Sequence, residues 1–533
     1  MNSTASGSDE RFDFIVVGAG SAGAALANRL TADGTATVAL LEAGGPDKKT
    51  EIHIPAAFSA LFRSEFDWNY DTEPQPGLDG RSIYWPRGKV LGGSSSLNAM
   101  MWVRGYAADY DRWAELAGPG WSWKALLPYF RKAERVAGNT DPDQGSDGAV
   151  NIEPQRSPRS HTAAFLQAVR EAGLPVVPPN TAQPDGFSQT MLTQHRGARF
   201  STVDAYLKPA RGRGNLSIRT GAHATRVLFD GKRAIGVEYL LGGSLQRVMA
   251  RREVVLSGGA VNTPQLLMLS GIGDAKQLRA VGIDVLVDSP EVGANLADHL
   301  MAGLAIASSG DTLFSAQKPA QLINYLLRRR GMLTSNVAEA YGFIKTKPEF
   351  DHPDVELLFA PVGFVGEGLI AAPGHALTMG AILLQPKSRG TVGIKSKDPL
   401  EKALIDPRYL SDPGGEDKAA LLAGLALGER LLSSSRLSGG APLRFVQPLG
   451  AENLDMVARD ELAITRHAQT LYHPTSTARM GSDDRSVVDP ELRVRGVEGL
   501  RVADASIMPR IIRGHTNAPS IVIGEKAADL LHG

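Results

Sequence analysis

Two of the eleven histidines stand in segments that would hold an imidazole in one direction. His473 lies in "LYHPTSTARMG", Leu471 to Gly481, directly before Pro474, which turns the preceding backbone away from helix. His515 lies in "IIRGHTNAPS", after the strand-like "LRVADAS" and before a helical run, "PSIVIGEKAADLL". An imidazole in such a place exchanges a proton near neutral pH, ligates a metal, or simply packs. Neither histidine has a local ligand spacing such as HExxH, which argues against a metal. No G-x-S-x-G elbow is present to support a Ser–His–Asp nucleophile. Proton transfer and packing remain, and the elements around the two histidines must decide.

The clearest element is at the start of the chain. "FDFIVVGAGSAGAALANRL" gives a short β-branched strand, Phe14 to Val17, followed by Gly18, Gly20 and Gly23 in GxGxxG spacing and a helical run from Ala24 to Leu30. Gly18 permits the tight turn, Gly20 lets backbone approach a pyrophosphate, and Gly23 lets helix and strand lie close. The helix N-terminus supplies free N–H groups for the phosphates. A second strand, "ATVALLEAGG", ends in Glu42, whose carboxylate suits ribose hydroxyls and repels a 2′-phosphate. A dinucleotide site follows, with NADP disfavoured and both FAD and NAD open.

Two further glycine-bearing segments resemble ligand or packing loops. In "PRGKVLGGSSSLNAMMWVRG", Ser94, Ser95 and Ser96 precede Leu97, Asn98 and Ala99 as N-cap candidates of another helix start; a plain Gly–Ser loop is the alternative. In "GGAVNTPQLLMLSGIG", Thr263-Pro264 and Gly271-Ile272-Gly273 bracket an apolar helix.

Composition narrows the classes. Lys plus Arg and Asp plus Glu are 57 each, so net charge favours neither nucleic acid nor an anionic membrane surface. There is no cysteine, which removes disulfides, thiolate nucleophiles, Cys-ligated metals and Cys-linked flavin. The polar, acidic start "MNSTASGSDERFDFIVV" is unlike a secretory leader. A cytoplasmic location without a transmembrane segment is expected. "AALLAGLALGERLL", from Ala419, is too short to span a bilayer and reads as a buried helix. "GNTDPDQGSDG", Gly138 to Gly148, and "LSDPGGEDK", Leu410 to Lys418, read as surface loops.

Taken together, "GKVLGGSSSLNAM", "GAVNTPQLLMLSGIG", "VGANLADH" and "LRVADASIMPRIIRGHTNAPSIVIGEKAADLL" resemble the signature blocks of the glucose–methanol–choline (GMC) oxidoreductase family, choline dehydrogenase-like or alcohol oxidase-like. The blocks span nearly the whole chain, with weakest coverage over 301–455. The resemblance implies an α/β fold: a Rossmann-like FAD-binding domain over 10–155, 200–300 and 456–533, interleaved with an α+β substrate-binding domain over 156–199 and 301–455. It implies FAD as cofactor and an alcohol as hydride donor. Some members carry a flavin-linked histidine where this chain has Leu97, so non-covalent FAD is expected. The expected cofactor set begins with Gly18, Gly20, Ser21, Ala22, Glu42 and Ala43. It continues with Gly93 and Asn98, with Val227 bordering the adenine by its backbone, and with Asp504, Ala505 and Asn517 near the flavin.

By the same resemblance His473 matches the catalytic base and His515 its paired position, together binding the alcohol oxygen beside flavin N5. The expected partners are a small alcohol and an electron acceptor, quinone-like or oxygen; no metal and no nucleic acid are expected, and homo-oligomerisation stays open. An alcohol oxidase, a hydroxynitrile lyase, a photodecarboxylase and a non-catalytic flavin scaffold are the alternatives. The missing cysteine argues against the decarboxylase. Glu339, in "TSNVAEAYGF", reads as a solvent-facing helical residue, with a cationic substrate or a catalytic imidazole as alternative partners. Trp68, Trp85 and Trp102 are candidates for an aromatic cage, but choline specificity does not follow from them.

Overall fold

The computed structural model describes residues 10–370, 373–451 and 453–532. The first nine residues, on which the leader reading partly rests, and Gly533 at the end of the expected FAD-binding unit lie outside them. One sheet is built from β1 (Arg11–Val17), β2 (Val38–Glu42), β3 (Leu216–Thr220), β4 (Ala222–Asp230), β5 (Arg233–Leu241) and β6 (Ser244–Leu256), in the order β3-β2-β1-β6-β5-β4. Leu500–Val502 pairs with β6 as a seventh strand. The apolar runs of β1, β2 and β6 pair in parallel and are buried, as continuous apolar strands require. Val17, Leu41, Leu256 and Val502 lie at one level. Gly18, Glu42, Ser257 and Ala503 therefore leave the sheet along its carboxyl edge, where doubly wound sheets hold their ligands.

Helix α1 (Ser21–Leu30) starts at that edge. Gly18 has φ +102°, and a Cβ there would lie 2.4 Å from the Ser257 carbonyl oxygen. A Cβ on Gly23 would lie 1.9 Å from the Gly18 carbonyl oxygen, so helix and strand meet at backbone contact. Helix α2 (Gly259–Leu269) follows β6. It begins before the expected Thr263-Pro264 start, and Pro264 is interior. Its ring removes the donor that would serve the Ala260 carbonyl; the Thr477 hydroxyl donates to that oxygen instead, at 2.7 Å. The Ser94–Ser96 expectation also changes. These hydroxyls lie in a 3-10 turn, Gly93–Ser96, with no α-helix directly after it. Ser95 and Ser96 donate back to Gly92 and Leu91 carbonyls, which shapes a loop rather than capping a helix.

The second sheet is antiparallel. β7 (Leu300–Ala307) continues from the first unit; next come α3 (Pro319–Arg328), β8 (Ala340–Ile344), β9 (Val355–Ala360) and β10 (Ala376–Leu383). The sheet order is Phe445–Gln447, β7, β10, β9, β8, Phe187–Gln189, with Gln469–Thr470 also on β7. Helix α4 (Glu416–Leu432) covers it and contains the apolar run from Ala419. It lies flush because Gly424 and Gly428 face Ala381, Val355 and Met379, where a Cβ would come within 2.9 Å. Glu416 to Lys418 thus belong to a helix rather than to the expected loop. The C-terminal helix α5 (Asn517–His532) crosses α1 where Gly524 meets the Ala22 carbonyl, and Glu525 pairs with Arg29.

Gly23→Ala tests this close packing. It should yield protein that melts several degrees lower and retains little cofactor, read by thermal unfolding and flavin absorbance. An unchanged melting temperature with full flavin content would show that the helix–strand contact is not needed.

Candidate active site

One cavity runs from the carboxyl edge of the first sheet to the inner face of the second. Gly18, Gly20, Ser21, Ala22, Glu42 and Ala43 line one end, and His473 and His515 line the other. Gly93, Asn98, Asp504, Ala505 and Asn517 line it between them. The expected set therefore converges, except for Val227. That residue is buried outside the lining, and its N–H donates to Ser270 Oγ at 2.9 Å. A register irregularity between Ala224 and Arg226 resets the strand, and Ala222, His223 and Ala224 border the cavity instead.

The dinucleotide end fits FAD. Gly93 approaches Gly20 so closely that a Cβ on Gly93 would lie 2.8 Å from Gly20 Cα. Glu42 is buried, and burial pushes its carboxyl up to about 7 although the Ala19 and Gly44 N–H groups donate to it. Ribose hydroxyls donating to the same oxygens would favour the charged form. Asp504 takes Ser506 N–H and Oγ–H on one oxygen, and Gly259 N–H and Thr263 Oγ–H on the other. With that carboxylate committed, backbone is what this segment offers a cofactor. Asn98 Oδ1 accepts from Met100 N and from buried Arg199. Leu97 lines the cavity and carries no nucleophile.

The histidine end is built by strand pairing. Leu471–Thr475 lies antiparallel to Ala297–His299: Leu471 N donates to the His299 carbonyl and Thr475 N to the Ala297 carbonyl. Between them Asp298 accepts from His473 N, Thr470 Oγ and Tyr409 Oη. Burial raises this carboxyl to about 6. Tyr472 and Ser476, either side of His473 and Pro474, have φ +68° and +76°, a conformation maintained only under tight constraint. His515 is held from the other side. Arg513 pairs with Asp109, Trp113 donates to the Arg510 carbonyl, and Gly514 packs on Gly105.

The two rings lie with centroids 4.8 Å apart at 62°. Their outer partners differ. His473 Nδ1 is 3.0 Å from His299 Nδ1, and His299 Nε2 is 3.1 Å from the Leu384 carbonyl oxygen. A carbonyl only accepts, so His299 carries its proton on Nε2 and leaves Nδ1 bare. His473 then donates from Nδ1, and its Nε2 is the bare nitrogen. Burial, followed by the neighbouring His515, His299 and Arg87, depresses the His473 pKa well below 6.5. Burial also lowers His299, to about 3. His515 Nε2 instead faces the buried Glu356 carboxylate, at 3.1 and 3.2 Å.

His299 and Glu356 were missed as site residues in the sequence. His299 ends "VGANLADH", and Glu356 is an acid inside the apolar strand "VELLFA"; each is a signal, but neither says which histidine it meets. The Glu339 expectation is corrected. Its side chain is fully buried just before β8 and accepts from Thr162, Ser335 and the Arg159 N–H, so it braces structure rather than facing solvent, substrate or an imidazole. Of the tryptophans, Trp68 lines the cavity; Trp85 and Trp102 are core, donating to Tyr409 and Glu134. Among the described residues no helix is long and apolar enough to cross a membrane, and no cluster of three or more His, Asp or Glu could hold a metal ion.

Two outcomes follow. Acid or denaturant should release all flavin into the supernatant, read by absorbance; flavin retained on the pellet would contradict the reading of Leu97. Glu42→Gln should weaken FAD binding about ten-fold, by loss of charge-assisted hydrogen bonds, in a fluorescence titration; unchanged affinity would remove Glu42 from the ribose site.

The GMC oxidoreductase family models match residues 12–301 and 386–524. An uncharacterised GMC-type oxidoreductase of Mycobacterium tuberculosis is 57% identical over 98% of this chain and 99% of its own length. The alcohol dehydrogenase [acceptor] of Pseudomonas putida is 42% identical over 98% of this chain and 95% of its own. The crystal structure of pyridoxine 4-oxidase from Mesorbium loti superposes with a TM-score of 0.87 and 32% identity, covering 98% of this chain and 99% of that one. FAD is the cofactor of such enzymes. The chain belongs to the GMC oxidoreductase family.

Proposed function

We propose that this oxidoreductase converts an apolar primary alcohol to its aldehyde, with His473 as general base and His515 as hydrogen-bonding partner. The observation that carries the reading is the polarity of the His299–His473 hydrogen bond, which leaves His473 Nε2 as an acceptor beside the cavity. The alcohol hydroxyl donates its proton to that nitrogen. Bound FAD supplies the acceptor, N5, for the hydride that leaves the carbinol carbon. His515 holds the oxygen from the other side, and the Glu356 carboxylate behind its Nε2 fixes the ring's orientation. His473 is neutral at pH 7 because its pKa is depressed, so it is ready to accept a proton without first losing one.

The substrate end is apolar. Phe58, Phe62, Val337, Phe364 and Tyr472 pack together and line it. Asp298 takes three internal donors and Glu356 faces His515, so a cationic alcohol such as choline would meet aromatic walls rather than either of these carboxylates. For the electron acceptor we favour a quinone-like molecule or a protein over oxygen, supported by the likeness to the Pseudomonas putida enzyme. We assign 10–155, 200–300 and 456–533 to the FAD-binding unit, and 156–199 and 301–455 to the substrate unit.

Anaerobic mixing with primary alcohols of increasing chain length should bleach the flavin, and admitting air then separates oxidase from dehydrogenase. His473→Ala should retain FAD and lose about 10²–10⁴-fold in reduction rate. Cyanohydrin cleavage or illuminated decarboxylation without bleaching would overturn the reading, as would a variant that reduces normally. The reduction rate should fall only under acidic conditions, where His473 takes up a proton, with its inflection below pH 6.5 and a plateau above. An inflection at neutral pH or higher would contradict a neutral, depressed base.

A further inference from the structure

Helix α3 (Pro319–Arg328) turns its apolar side the wrong way for a surface helix. Tyr325 points inward at 1% exposure, and its hydroxyl donates to the His53 carbonyl. Gln321 and Asn324 also face the protein, bonding Met332 N and the Arg330 carbonyl. Leu322, Ile323, Leu326 and Leu327 share the opposite face, as residues three and four apart do, and all are exposed, Leu327 at 79%. Phe314 extends this face and packs on His375, while Leu313 N donates to the Pro361 carbonyl. A contiguous apolar face of this kind marks an interaction surface.

The charge along this segment is one-signed. From Leu313 to Val337 the chain carries Lys318, Arg328, Arg329 and Arg330 and no acid, in a protein whose overall charge is zero. The acids that flank this segment in sequence are engaged: Asp311 pairs with Arg159, and buried Glu339 accepts from Thr162 and Ser335. We propose that this face docks on a membrane surface bearing anionic phospholipid, with α3 lying in the interface plane. Its leucines would enter the acyl boundary while its cations meet the headgroups. A second copy of this chain fits less well, since a two-fold contact would oppose the same cations. The face adjoins the turn that carries Phe58, a residue of the cavity's aromatic end. His53 leads into the turn Pro55–Leu61 that carries Phe58, and Gly368 approaches Ser59 in that turn. Docking would bring that end of the cavity close to a bilayer, whatever the reaction inside.

Flotation of the FAD-loaded enzyme with phosphatidylcholine vesicles, with and without phosphatidylglycerol, tests this. Binding should require phosphatidylglycerol and weaken with salt. Leu326→Ser with Leu327→Ser should lose about ten-fold in partition, as should Arg328→Glu with Arg330→Glu, with flavin content and alcohol turnover unchanged. No binding to anionic vesicles, equal binding to neutral ones, or unchanged partition in both variants would overturn the proposal. So would a molar mass, by light scattering, that halves in the serine variant, which would make the face a contact between copies.

Discussion

A carbonyl oxygen can only accept a hydrogen bond, and that rule at Leu384 sets the polarity of the chain of bonds that ends in the active site. His299 must donate to it, so His299 must accept from His473, so the nitrogen His473 turns to the cavity is bare. The depressed pKa of His299 reinforces this, because a neutral His299 keeps its lone pair for His473. His515, a ring-width away, has a carboxylate behind it instead. Two adjacent imidazoles are thereby distinguished by their outer partners, a second imidazole behind His473 and a carboxylate behind His515.

That chain of bonds needs a rigid frame, and both sheets supply it. The segment 297–299 leaves the dinucleotide-binding side and becomes β7 of the second sheet, and the His473 segment is laced to it. Asp298 accepts three donors there at the cost of a buried carboxylate whose pKa rises to about 6. The left-handed residues Tyr472 and Ser476 are tolerated because this lacing over-determines them. The dinucleotide end is fixed differently, by backbone-to-backbone approach at Gly18, Gly20, Gly23 and Gly93. The dinucleotide end and His473 are thus positioned by independent devices that meet only in the shared cavity.

What the sequence disclosed was local. GxGxxG, the acidic end of β2 and the two histidine segments each carry their meaning within a dozen or so residues, and all of them line the cavity. What it hid depends on long-range pairing. His299 and Glu356 meet their histidines across 174 and 159 residues. Val227 lies outside the cavity lining, which takes Ala222, His223 and Ala224 from β4 instead. Pro264 read as a helix start because its compensating donor, Thr477, comes from a distant segment. Net charge concealed the basic, acid-free stretch around α3, since a whole-chain balance says nothing about how charge is distributed.

Neutron diffraction from a deuterium-exchanged crystal at neutral pH would test the central claim most directly. The account predicts deuterium on Nε2 of His299 and on Nδ1 of His473, with Nε2 of His473 bare. Deuterium on Nε2 of His473, or on both of its ring nitrogens, would contradict it and remove His473 as the resting proton acceptor.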